Sequence, residues 1–204
     1  MSTWSPPWPG WHPHAAGGGG RGPVTLYVTK TLTGSAAVLS TSSTTPTTLT
    51  HEGRTTLPAG GTWWVGGCAL GVPVTTGGGS STEPPPNGHG AIYSGVTGKT
   101  IAAGTWTVSV GLKCSGPITY QHLRARIFKK AGTTYTQVGT DIVLSTFLTI
   151  PTGLHTFTAS GSLPSVTFTG VHVLYLDLQG AGSSSATIIY VPVGGTHASL
   201  VIPS

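Results

Sequence analysis

From residue 104 onward the chain alternates between apolar and polar positions. In GTWTVSVGL (104–112), Trp106, Val108, Val110 and Leu112 share one parity, and Thr105, Thr107 and Ser109 share the other. A period of two predicts a half-buried antiparallel strand. HLRARIF (122–128) repeats the pattern, with Leu123, Ala125 and Ile127 set against His122, Arg124, Arg126 and Phe128. KKAGTTY (129–135) reads as a hairpin turn and TQVGTDIVLS (136–145) as its return strand. LHTFTAS (154–160), SVTFTG (165–170), VHVLYLDL (171–178) and ATIIYVPV (186–193) extend the series. Gly, Pro and Ser clusters separate the runs at the spacing of a sandwich or barrel. No amphipathic helix of normal length is found.

The first half is less regular. VTLYVTKTL (24–32) alternates and is rich in β-branched residues, and GGTWWVGG (60–67) reads as a strand with glycines at both ends. GGGSSTEPPPNGHG (77–90) reads as a long loop. PAGGTWWVGG (58–67) echoes IAAGTWTVSV (101–110), which predicts two similar strands in neighbouring positions of one sandwich. Together these readings give an all-β protein: an antiparallel, jelly-roll-like β-sandwich over 23–204. The expected core includes Trp106, Val108, Val110, Leu123, Ile127, Leu174, Leu176 and Ile188.

Residues 1–22 stand apart as an extended arm and tether. Trp4, Trp8 and Trp11 sit among Pro6, Pro7, Pro9 and Pro13, followed by Gly17 to Gly20. Polyproline geometry repeats every three residues, so Trp8 and Trp11 fall on one side. The glycines form a flexible tether. Prolines break Trp4 to Trp11, so no apolar core of a secretory signal is read there. No apolar run is long enough to span a membrane.

Composition changes the picture in one respect. Only 6% of residues are charged, against roughly 25% in an ordinary soluble domain. The soluble surface must therefore come from hydroxyls and backbone, which suits a protein of an assembly or of the extracellular milieu. The net charge of +5 has one cluster, Arg124, Arg126, Lys129 and Lys130. Arg124 and Arg126, with Lys129 close by, read as a cationic stripe for partner docking or as a solvated strand face. Nucleic-acid binding needs a larger cationic surface and is not expected.

Catalytic chemistry finds little support. The four acids, Glu52, Glu83, Asp141 and Asp177, form no motif for paired carboxylates, and Asp177 alternates outward in LYLDL as a solvated residue. No nucleophile elbow, phosphate loop or paired Cys–His pattern is present. The eight histidines are scattered, so no metal or cofactor is expected. Cys68 and Cys114 read as free thiols or as one bridge.

GKTIAAGTWTVSVGLKCSG, LRARIFKKAGTTYTQVGTDIVLS, VHVLYLDL and IIYVPVGGTHASLVIPS carry a likeness over about 91–204. In strand order and turn wording this region resembles β-sandwich proteins among the virion structural genes of tailed bacteriophages. The resemblance implies a non-enzymatic capsid decoration or accessory protein on the virion exterior. Its expected partners are the major capsid protein or other virion subunits, in a homo-oligomer, without nucleic acid or membrane. The alternative it leaves open is a receptor- or glycan-binding module of a tail fibre or baseplate.

The arm is the expected anchor. Each buried Trp removes some 150–250 Å² from water, so at about 25 cal/mol per Å² three rings supply several kcal/mol before ordering costs. A chain lacking residues 1–20 is expected to melt as the full chain does and to lose attachment to particles in co-sedimentation. Undiminished attachment would set the arm aside.

Overall fold

The computed structural model describes residues 22–34, 36–42, 51–56, 63–66, 86, 90–114, 118–146, 148–150, 153–182, 188–192 and 198–204. Trp4, Trp8, Trp11, the glycine tether, Cys68 and Glu83 lie outside the described residues. The described strands are β1 (Val24–Thr33), β2 (Ala36–Ser40), β3 (His51–Thr56), β4 (Trp63–Gly66), β5 (Ala91–Tyr93), β6 (Thr100–Ile101), β7 (Gly104–Cys114) and β8 (Ile118–Ala131). They continue as β9 (Thr134–Gln137), β10 (Ile142–Ser145), β11 (Leu148–Ile150), β12 (Gly153–Leu163), β13 (Val166–Thr167), β14 (Val173–Gly182), β15 (Ile188–Pro192) and β16 (Ala198–Ile202). The chain is all-β, as its alternation predicts; one short 3₁₀ turn, Ser94–Val96, is the helical exception among the described residues.

One hydrogen-bonded path runs β10-β8-β14-β5-β2-β1-β16-β7, and β12 pairs with β7 beyond it. The path curls on itself into a jelly-roll-like sandwich. One layer is β2-β1-β16-β7-β12 and the other is β5-β14-β8-β10. Ladders are antiparallel except for β2 against β5, where Ala37 faces Ala91 in parallel register. That pair joins the two layers.

Period-two alternation explains the core. Leu26, Leu200 and Val108 fall in register across β1, β16 and β7, and all three are fully buried. Ile127 and Leu176 do the same across β8 and β14. Of the expected core, Trp106, Val108, Val110, Leu123, Ile127, Leu174 and Leu176 are buried; the side chain of Ile188 lies outside what is described. Trp106 faces Gly161 on β12, and a Cβ at Gly161 would stand 2.9 Å from Ile142 Cγ1. The missing side chain thus gives Ile142 its room.

The hairpin expected at 129–135 forms, with Gly132 at φ +56° in the turn between β8 and β9. Only glycine adopts this region without strain. The echo between 58–67 and 101–110 does not make neighbours: β4 pairs with β14, whereas β7 pairs with β12, β15 and β16. The shared Thr-Trp wording records a common local need, an aromatic near a strand start, and not adjacency.

Trp106→Ala is expected to cost about 3–5 kcal/mol in urea unfolding, the range for a large buried aromatic. A loss below about 1 kcal/mol would place the indole outside the core.

Candidate functional site

Strand β8 is buried on both faces from Leu123 to Phe128. One parity feeds the core. The other places Arg124, Arg126, Phe128 and Lys130 in a row, opposite Gln179, Asp177, Tyr175 and Val173 of β14. Each long polar side chain therefore meets its partner directly across the ladder, where Cβ atoms stand about 5 Å apart.

The contacts are specific. Arg126 donates from Nε and Nη2 to Asp177 Oδ2 at 3.1 and 2.6 Å. Arg124 donates from Nε and Nη2 to Gln179 Oε1 at 3.0 and 2.6 Å. It also donates from Nη1 to Asp141 Oδ2 at 2.5 Å. Gln179 Nε2 donates to Asp177 Oδ2, and Gln137 Nε2 to Asp141 Oδ1. The Arg126 guanidinium lies 5.1 Å from the Phe128 ring centroid. Two cations meet two anions, so the layer carries no net charge.

This overturns two expectations. Arg124 and Arg126 do not form an open cationic stripe: they are 9% and 5% exposed. Asp177, read as solvated, is 1% exposed. A polar parity marks solvent only when nothing covers that face, and here the covered face satisfies its ions across the ladder. Lys129 leaves the row as well, since alternation assigns it to the parity of Ile127, half-buried at the end of the core face. Lys130 continues the row. Sequence reading missed Asp141, Gln179, Tyr135 and Tyr175; the spacing of Asp177 and Gln179, matching that of Arg124 and Arg126, was the available signal.

Burial pushes the Asp177 carboxyl above the usual carboxylate range, against the pull of Arg126, Arg124 and Gln179. Its Oδ1 is buried without a hydrogen-bond partner. Burial, and then the Asp177 charge, also raise the Tyr135 phenol. Tyr135 packs edge-on against Phe128 and Tyr175, with centroids 6.0 and 5.0 Å away. The Tyr175 hydroxyl accepts the Gly90 N–H at 2.8 Å.

At the end of this layer lies an open cleft of about 510 Å³. Lys130, Thr133, Tyr135, Thr33, Ile92 and Pro86 line it. Lys130 donates to the Gly132 carbonyl and lies 5.3 Å from the Tyr135 centroid. The outer face of the other layer differs in kind. Thr107 and Ser160 hydroxyls bond at 2.7 Å, and those of Ser109 and Thr158 at 2.8 Å. Across β16 and β1 the Ser109 row continues through Ser199 to Tyr27, and the Thr107 row through Val201 to Thr25. This face offers hydroxyls and no ion among these residues.

Among the described residues, no group of His, Cys, Asp and Glu is placed to hold a metal ion. No helix of the described residues is long and apolar enough to cross a membrane. No family model matches the chain, and no curated protein matches it. Among solved structures the chain is similar in part to the Eiger TNF from S. frugiperda, at 10% identity and a TM-score of 0.21. The match covers 47% of this chain and 63% of that one.

Arg126→Leu is expected to cost about 3–5 kcal/mol at neutral pH, because it strands the Asp177 carboxylate in a buried layer. The cost shrinks as the pH falls, because the carboxyl, raised by burial, then takes up a proton in the folded state and the stranded charge is removed. Adding Asp177→Leu recovers most of the loss. Urea unfolding at neutral and at acidic pH checks all three results.

Proposed function

We propose that this chain is a non-enzymatic structural protein of a virion exterior, which binds the capsid lattice as a decoration protein. The observation that carries the reading is the division of its polar groups. The ions of the β8–β14 layer are neutralised inside the fold, while an outer sheet face presents hydroxyls. Contacts made through hydroxyls and backbone are short-ranged and respond little to salt, whereas contacts between exposed charges are screened within about 10 Å at 0.1 M salt. A particle that persists outside cells gains from attachment of the first kind. Asp141 and Asp177, the two acids with described side chains, are committed to guanidinium groups, which supports a structural use of charge. The likeness to tailed-phage virion proteins supports the location, with the major capsid protein or another virion subunit as partner.

A second reading, a receptor- or glycan-binding module at the tail, draws on the cleft at Lys130 and Tyr135. A pinned aromatic ring beside a cation and threonine hydroxyls is a surface that sugars fit.

Purified chain added to particles that lack it is expected to appear in cryo-images as many copies over the head. Occupancy is expected to hold between about 0.05 and 1 M salt. A few copies confined to the tail tip would favour the second reading. Loss of binding over that salt range would overturn the hydroxyl-face argument.

A further inference from the structure

Two tight hairpin turns, one from each layer, border the same cleft. Gly34 turns β1 into β2, where Thr33 pairs with Ala36, and Gly132 turns β8 into β9, where Ala131 pairs with Thr134. The cleft between them holds about 510 Å³, within the range of about 300–1,000 Å³ for small-molecule sites. Ile92 of β5 and Val173 of β14, both half-buried, line it with apolar surface. Tyr135 adds a ring fixed by its edge-on contacts with Phe128 and Tyr175. Thr33 and Thr133 stand exposed at the two turns. A Cβ added at Gly34 or Gly132 would meet nothing within 4 Å, so the space beside both turns is open.

Lys130 is the single charged residue among the described ones that line the cleft. Its ammonium is held there by the Gly132 carbonyl and by the Tyr135 ring, 5.3 Å from the centroid. An ammonium carries three N–H donors, so the bond to Gly132 leaves two for a ligand. No acid with a described side chain answers this charge, because Asp141 and Asp177 are held by Arg124 and Arg126. The form of the charge also selects. Phosphate is commonly gripped by forked guanidiniums or by several aligned backbone N–H groups. A lone lysine is a compact point charge, matched to one carboxylate. Around it stand an apolar wall and two hydroxyls, which match the C–H face and the hydroxyl rim of a sugar ring.

We propose that this cleft binds a pyranose that carries a carboxylate, a uronic acid residue of a glycan. Lys130 takes the carboxylate, Tyr135, Ile92 and Val173 pack against the C–H face, and Thr33 and Thr133 bond the ring hydroxyls. The inference rests on the glycan-binding reading above and adds to it the charge of the sugar. The capsid reading does not depend on it.

The test is calorimetric titration of the full chain with methyl glucuronide and with methyl glucoside, which differ only in the carboxylate. At about 0.05 M salt the glucuronide is expected to bind about tenfold tighter or better, and the preference to shrink toward about 1 M salt. Lys130→Gln is expected to bring the glucuronide down to the affinity of the glucoside. Lys99→Gln, which removes the same charge outside the cleft, is expected to leave the preference intact. Thr133→Glu sets a carboxylate at the exposed rim and is expected to repel the glucuronide selectively; it decides the matter should Lys130→Gln misfold by circular dichroism. Equal affinity for the two sugars would overturn the proposal and leave the glycan-binding reading standing. Binding of neither would remove both. A glucuronide preference unmoved by Lys130→Gln and Thr133→Glu would place the acid site elsewhere and overturn the proposal for this cleft.

Discussion

The pairing of β8 with β14 organises the molecule. The register that sets Ile127 beside Leu176 in the core also sets Arg126 beside Asp177 and Arg124 beside Gln179 on the opposite face. A one-residue slip would exchange every inward side chain for an outward one. It would drive two guanidiniums into the apolar core and set Leu123 and Ile127 in the polar layer. Hydrophobic packing and ion pairing therefore specify the same register, and each penalises the errors that the other alone would tolerate. Such a buried layer need not add net stability, since desolvation offsets much of the attraction. Its physical effect here is selection of one alignment.

Scarcity of charge gives that layer added weight. The chain has nine Lys and Arg and four Asp and Glu, and this single cross-strand motif, with Asp141, absorbs two of each. The remaining polar surface is built from hydroxyls held at fixed spacing by the pleat. Along β7 and β12 they satisfy one another in pairs, which leaves the face polar yet short of strongly hydrated groups. Displacing water from such a face is less costly than stripping ions, a property that serves a protein meant to remain attached.

Much of the fold was legible because alternation is a local signal. Trp106, Val108 and Val110 declare their face without reference to any other strand. The buried ionic layer was not legible by the same logic, because parity separates two faces without saying which of them water reaches. Arg124 and Arg126 were consequently assigned to an outer surface, open to a partner or to water, and Asp177 to solvent. Matching spacing, Arg-x-Arg on one strand and Asp-x-Gln on another, held the missing information, but it becomes readable only once the two strands are known to pair. Lys129 was grouped by proximity in sequence, whereas the pleat groups residues by twos. The Trp/Pro arm yields to neither argument: its residues carry composition without alternation, and lie outside the described structure.

The closure of the sheet bears on how the chain is made. Val24 at the start of β1 pairs with Ile202 near the C-terminus, and β16 then completes the layer against β7. Strand β1 thus has no antiparallel partner on that side until β16, far along the chain, has been synthesised. Contacts of such long range slow folding, since a large loop must close before the pairing rewards it. During that interval β1, with its β-branched run, is an open edge in a crowded cell. The glycine turn at Gly34, which brings β2 back along β1 at once, shields one side of it early. Folding would then run from this protected hairpin toward a late docking of β16 between β1 and β7.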